Sequence, residues 1–125
     1  MEIRKFQKED HPMVCSWWKA HSWPLIPIEM LPTTGVIVDD VAAGFLYKTD
    51  SKIAWIEFIV TDPVSDKAHR SEALDKLISS LSEEAKSDGY ALIFTSVEHP
   101  KLLARNQEHG FAVTDTNMTN MIKRL

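Results

Sequence analysis

Hydrophobic positions in the first half of the chain follow the period of strands, with one helical stretch among them. β-Branched and aromatic residues predict three consecutive antiparallel strands at 35–38, 42–47 and 53–60, separated by short polar turns. Before them, a short strand is predicted at 3–6. Apolar residues at helical spacing then predict a first helix that ends at about His21.

The second half of the chain alternates between helical and strand periods. Leu77 and Leu81 belong to an apolar stripe at helical spacing, and Gly89 is a good C-terminal cap for that helix. Gly110 ends a second helix in the same way. The predicted elements are helices at 67–88 and 100–110 and strands at 91–95, 111–113 and 118–125.

This order predicts one domain over residues 1–125, of the α/β or layered α+β class. The strands first form a meander and then alternate with helices, which favours a mixed sheet of six to seven strands with helices on both faces. The strand, helix and strand at 53–95 form a βαβ unit, so its two strands are expected to be parallel.

Composition and charge narrow the possible functions of the 125 residues. The 44% apolar and 26% charged fractions are typical of a globular domain, and the net charge of −4 argues against binding to nucleic acid. The single cysteine, Cys15, excludes an internal disulfide and a cysteine-based zinc site. The five histidines show no H-x-x-x-H pair, so no metal site is expected. Without a long apolar stretch or a signal peptide, a cytoplasmic protein is expected and a membrane protein is not.

Three local signatures resemble the GNAT superfamily of acyl-CoA-dependent N-acetyltransferases. They are Ile3-Arg4 with Asp10, the segment 55–63 that ends in Asp62-Pro63, and the helix that runs into Gly110-Phe111. The resemblance covers almost the whole chain. The chain is also similar to small family members from bacteriophages that have a weakened cofactor motif. It implies a GNAT-like sheet, acetyl-CoA as cofactor and acyl transfer to an amine.

The resemblance also implies where acetyl-CoA would bind. Its pantetheine arm would contact backbone groups of Ile59, Val60 and Thr61, where the fourth and fifth strands separate. Its pyrophosphate would lie at the N-terminus of the next helix, whose first amides are unpaired. The usual glycine-rich loop is absent there, and Lys67, His69 and Arg70 are the candidate phosphate ligands; equally, they form a solvated first turn.

Two residues depart from the family pattern around the last helix. His99 stands where the family often has an asparagine, and Asn106 stands where it often has a tyrosine that protonates the leaving thiolate. We still count both as candidate cofactor-binding residues. Asn106 cannot donate a proton as an acid, so either another group supplies that proton or the chain does not catalyse the family reaction.

Glu57 is the candidate general base. It matches the fourth-strand glutamate of the family and lies within the apolar run 55–60. Burial there would raise its pKa and suit it to proton abstraction from an amine near neutral pH. The alternative is that Glu57 lies on the polar side of an alternating strand.

Tryptophans are concentrated near the first helix, at Trp17, Trp18 and Trp23. Two adjacent tryptophans are not expected to face the same core, so one of Trp17 and Trp18 is expected to line a surface groove. Such a groove would bind an amine or a peptide through cation–π contacts, or would form a protein interface. Core packing is the third interpretation. Cys15, beside them, is expected to be a structural helix residue rather than a nucleophile.

The leading interpretation is therefore an N-acetyltransferase that acts on an amine-bearing small molecule or protein. The alternative is a catalytically inactive module of the same fold that binds a protein partner or a small ligand. A homodimer is also possible, since the predicted last strand, 118–125, would offer a sheet edge to a second copy.

Overall fold

Five strands and three helices make up the fold in the computed structural model, which describes residues 1–125. In chain order they are β1 (Ile3–Lys5), α1 (His11–Ala20), β2 (Gly35–Val38), β3 (Ala42–Tyr47), β4 (Ile53–Thr61), α2 (Lys67–Ser87), β5 (Leu92–Thr95) and α3 (Pro100–Glu108). Single 3-10 turns cover Lys8–Asp10 and Ile28–Met30. No helix offers the long apolar stretch that crossing a bilayer requires.

The sheet follows the chain in the order β1-β2-β3-β4-β5. β1 to β4 pair antiparallel, whereas β4 and β5 pair parallel with α2 between them. The meander and the parallel βαβ unit are thus both confirmed.

Helices α1 and α2 cover opposite faces of the sheet, as predicted. Val38 and Leu46 pack with Leu81 of α2 in one cluster, while Ile37 and Phe45 pack with α1 in the other. Successive side chains of a strand point to opposite faces, so the near-continuous apolar runs of β2 and β3 supply both clusters at once.

A β-bulge interrupts β4 and changes which side chains face α1. Phe45 and Ala43 of β3 are two residues apart, but their partners Glu57 and Val60 are three residues apart. The extra residue is accommodated at Phe58, whose φ of 59° is left-handed. Glu57 and Val60 therefore both lie on the α1 face, where simple alternation would separate them.

The sheet has five strands, so the expected six to seven strands are wrong. The predicted strands at 111–113 and 118–125 do not form, and Ile122 and Leu125 are fully exposed. A strand needs a partner for its backbone hydrogen bonds, and this segment has none despite its suitable composition. The sheet edge is instead β5, and the expected dimer contact through a strand at 118–125 loses its basis.

A partly buried ion pair connects β1 with the 3-10 turn before α1. Nη1 and Nη2 of the Arg4 guanidinium each donate to the carboxylate of Asp10 at 2.8 Å. This pair holds the pKa of Asp10 below its usual range. The first family signature, Ile3-Arg4 with Asp10, is therefore a structural contact.

Candidate active site

Beside the second half of β4 the sheet has an open edge, because β5 ends at Thr95 while β4 continues to Thr61. We call this open edge the wedge. The parallel pairing ends at Ile56 and Thr95, whose hydroxyl donates to the Ile56 carbonyl at 2.7 Å. From Glu57 to Thr61, β4 continues to pair with β3 and has no strand on its other side. The backbone at 59–61 lies along this wedge, and its role in binding the pantetheine arm stays a prediction.

One backbone group of the wedge already has a partner. Nε2 of His21, in the residue after α1, donates to the carbonyl oxygen of Thr61 at 3.1 Å. The His21 ring also stacks on Trp23 with 4.5 Å between ring centroids. His21 was not among the predicted site residues, because its contact is with a carbonyl 40 positions away.

Glu57 lies at the start of the wedge, on the face covered by α1. Its side chain is half-buried, and it stands opposite Phe45 in the antiparallel register. Burial raises the pKa of its carboxyl, and the backbone amide of Ser96 offsets part of that rise. A carboxylate with a raised pKa is a better proton acceptor, so the geometry is compatible with the predicted general base.

Tyr47 is a neighbour of Glu57 that the sequence interpretation missed. Burial and the nearby charge of Glu57 raise the pKa of Tyr47, and its hydroxyl donates to the carbonyl of Met30 at 2.7 Å. The alternation of β3 and β4 contains the signal, since Tyr47 is two residues beyond Phe45 and pairs with Trp55.

The N-terminus of α2 carries an acidic cap. Asp66 accepts a hydrogen bond from the backbone amide of His69 at 3.0 Å, while the amides of Lys67 and Ala68 have no protein partner. Two free amides at a helix N-terminus attract an anion, but the Asp66 carboxylate beside them repels one.

The predicted phosphate-binding side chains are mostly engaged within the protein. His69 pairs with Asp39 through Nε2 and Oδ2 at 2.9 Å. The Arg70 guanidinium donates to the carbonyls of Ser65 at 2.9 Å and Pro63 at 3.2 Å. Lys67 is exposed and makes no ion pair, so it alone of the three is free to bind an anion.

His99 and Asn106 occupy structural positions in α3. His99 is its N-cap, and Nδ1 accepts from the Lys101 amide at 3.1 Å. Asn106 is buried, and its carbonyl accepts hydrogen bonds from the amides of His109 and Phe111 at the helix end. The cap explains the His99 side chain without a ligand, whereas the Asn106 contacts are made by its backbone carbonyl. The cofactor-binding role of both residues stays a prediction.

The expectation that one of Trp17 and Trp18 would be exposed is wrong. They are 4% and 2% exposed and belong to the same core cluster. Both are covered because the segment that follows α1 also packs against this cluster, through Ile26 and Ile28. Only Trp23, which is about half exposed, keeps the surface position that a substrate-binding role requires.

Cys15 has the environment of a structural thiol. Its Sγ lies 3.3 Å from Nε2 of His11, which also donates to the Ile26 carbonyl. Burial raises the pKa of Cys15, so the thiolate needed for nucleophilic attack is disfavoured. No group of three His, Cys, Asp or Glu side chains is arranged to hold a metal ion.

Solved acetyltransferases share this fold over nearly the whole chain. The ribosomal-protein-S18-alanine N-acetyltransferase of Escherichia coli is 16% identical, with a TM-score of 0.71 over 91% of this chain and 79% of its own. Glucosamine-6-phosphate N-acetyltransferase of Arabidopsis thaliana is 14% identical, with a TM-score of 0.68 over 98% of both chains. An acetyltransferase of Trypanosoma brucei is 16% identical, with a TM-score of 0.71 over 97% of this chain and 99% of its own.

Sequence comparison adds no relative. No family model matches the chain, and no curated protein is similar to it in sequence. The structural likeness therefore supports the fold, and the expected resemblance to bacteriophage proteins stays a prediction.

Proposed function

Because the chain has the fold of the GNAT acetyltransferases, we propose that it transfers an acetyl group from acetyl-CoA to an amine. The observation that carries the proposal is Glu57, a half-buried carboxylate with a raised pKa at the start of the wedge. Two structural neighbours are N-acetyltransferases by name, which is compatible with an amine acceptor here.

The wedge fits the pantetheine arm of acetyl-CoA. Past Ile56, the backbone of β4 through Ile59, Val60 and Thr61 has no strand beside it on the β5 side. Hydrogen bonds to that backbone would hold the arm, with His21 competing at the Thr61 carbonyl. The cofactor, when bound, supplies an acetyl group activated as a thioester.

The pyrophosphate end fits less completely. Lys67 and the free amides of Lys67 and Ala68 favour an anion at the N-terminus of α2, and Asp66 opposes it. Glycines that would let a phosphate approach the backbone are absent between 62 and 72. We therefore expect acetyl-CoA to bind with modest affinity that falls with salt.

Glu57 accepts the proton that the acceptor ammonium must lose. With acetyl-CoA bound, the free amine would attack the thioester carbonyl carbon, and the N–C bond would form as the C–S bond breaks. The second proton on the new amide nitrogen would pass to water, and the leaving thiolate would be protonated by water, since Asn106 is no acid. Burial suits Glu57 to this task because it raises the pKa of the carboxyl toward neutral pH, which makes the carboxylate a better proton acceptor.

A second candidate function is that of a binding module without catalysis. The Asp66 cap, the His21 contact to Thr61 and the asparagine at 106 each remove or oppose a part of acetyl-CoA chemistry. A GNAT fold does not by itself imply turnover.

Calorimetric titration with acetyl-CoA, followed by a thiol-release assay with a panel of amines, tests the proposal. We expect a dissociation constant of about 1 μM to 1 mM and amine-dependent thiol release. Binding without release for any amine supports the binding module. No binding at millimolar acetyl-CoA contradicts the proposed activity.

A further inference from the structure

Aromatic side chains share the α1 face of the sheet with Glu57. Tyr47 pairs with Trp55, and Trp55 pairs with Phe94 of β5, so these three side chains share the face of Glu57. Phe58 joins them because the bulge turns it to the same side, where its ring lies 6.2 Å from that of Tyr47. We call Tyr47, Trp55, Phe58 and Phe94 the aromatic frame.

The aromatic frame is open to solvent, unlike the rest of this face. Trp55, Phe58 and Phe94 are 37%, 38% and 39% exposed, whereas Trp18 of α1 is 2% exposed. The rings are nevertheless held in place: Trp55 and Phe94 are T-shaped at 5.1 Å, and Phe58 is T-shaped against Trp18 at 6.4 Å. Ordered, partly exposed rings are suited to ligand contact.

Glu57 carries the one charge in the strands that form the frame. Glu57 is the only ionisable carboxylate on this face of β3, β4 and β5, and no lysine or arginine of these strands faces it. A carboxylate without a protein cation beside it attracts an external cation. An acceptor carrying phosphate or carboxylate would meet Glu57 without a compensating charge.

We propose that the aromatic frame and Glu57 bind the acceptor, and that this acceptor is a primary amine carried on an aromatic or apolar group. The ammonium contacts the Glu57 carboxylate, and the apolar part lies against Trp55 and Phe94. Rings also attract the ammonium itself through cation–π contacts. This inference rests on the proposed function for its reaction, but the binding it describes does not require acetyl-CoA.

Phenethylamine is a suitable probe, added to the protein without acetyl-CoA. NMR of the four tryptophan indole N–H groups reports the location, and the Trp55 signal is assigned by its loss in Trp55→Phe. We expect the Trp55 signal to move saturably with phenethylamine. Glucosamine 6-phosphate and glutamate should bind at least about 10-fold more weakly. A shift of Trp23 with Trp55 unmoved would overturn the proposal.

Conservative variants separate the frame from the stability of the fold. Phe94→Leu and Glu57→Gln should each weaken phenethylamine binding by about 3- to 10-fold. Phe111→Leu, which removes a ring packed on the opposite cluster, should leave binding unchanged. Equal affinity in wild type, Phe94→Leu and Glu57→Gln would overturn the proposal.

Failure of this inference is distinguishable from failure of the proposed function. Phenethylamine binding without acetyl-CoA binding would contradict the activity and keep the acceptor site. Acetyl-CoA binding without a Trp55 response would do the reverse. A dimer by sedimentation that Trp55→Phe dissociates would also overturn the inference, because the frame would then be an interface between copies.

Discussion

Glu57 and the first turn of α2 were both predicted to be functional, but they differ in whether their charged side chains have partners in the protein. Glu57 is half-buried with no cationic partner, and burial raises its pKa. In α2, which follows β4 after a short loop, His69 is paired with Asp39 and Arg70 donates to loop carbonyls. An unpaired charge held against apolar surface is available for chemistry, whereas a satisfied charge stabilises the fold.

The largest effect is expected on turnover. Glu57→Gln should lower acetyl transfer by about 10²- to 10⁴-fold, because the amide cannot accept the ammonium proton. Affinity for acetyl-CoA, measured by calorimetry, should not change. Full thiol-release activity in the variant would show that Glu57 is not the base and would remove the contrast between the two regions.

Arg70 should behave as a structural residue. Arg70→Met loses the hydrogen bonds to the Ser65 and Pro63 carbonyls, so urea unfolding should show a loss of about 1–2 kcal/mol. Lys67→Met is the matched control and should stay within about 0.5 kcal/mol of wild type. Unchanged stability with a 10-fold loss of acetyl-CoA affinity in Arg70→Met would instead make Arg70 a phosphate ligand.

A smaller effect is expected at the cap of α2. Asp66→Ser keeps a side-chain cap but removes a negative charge, so acetyl-CoA should bind about 2- to 5-fold more tightly at low salt. Calorimetry in a series of salt concentrations measures this. Glu83→Ser, an exposed site further along α2, controls for net charge. Equal gains in the two variants would mean that no anion lies at the helix N-terminus.

The smallest effect concerns the pH dependence of stability. Burial raises the pKa of Glu57, so its neutral form is favoured in the folded state, and this stabilisation is lost as pH rises through the folded pKa. Glu57→Gln should thus raise the melting temperature by about 2 °C at pH 7 and by nothing near pH 3.5. A melting temperature below that of wild type at pH 7 would show that hydrogen bonding to the carboxylate, as by the Ser96 amide, outweighs the cost of its burial.

Much of the fold could be predicted from local patterns. The strands at 35–38 and 42–47 and the helix from Lys67 match the structure because their side-chain periods are local properties. The bulge at Phe58 was not predictable, since it exists only relative to the register with β3. The segment 111–125 has strand-like composition without strand structure, because composition supplies no partner edge.

The candidate site was predictable only in part, for the same reason. Glu57 matched the fourth-strand glutamate implied by the GNAT resemblance and stood out as one carboxyl in an apolar run, and both signals are local. The burial of both Trp17 and Trp18 depended on the segment that follows α1, and the aromatic frame depended on three strands meeting in register. Neither arrangement leaves a mark at a fixed spacing along the chain.

The sequence by itself determined the order of most elements and the layered class of the fold, because side-chain periodicity extends over a few residues. It also singled out Glu57 as the candidate base, through a family resemblance and a lone carboxyl in an apolar run. Only the tertiary structure decided which charges are free. His69 meets Asp39 across 30 positions, and His21 meets Thr61 across 40. Pairing energies depend on distance in space, and only the folded chain defines that distance.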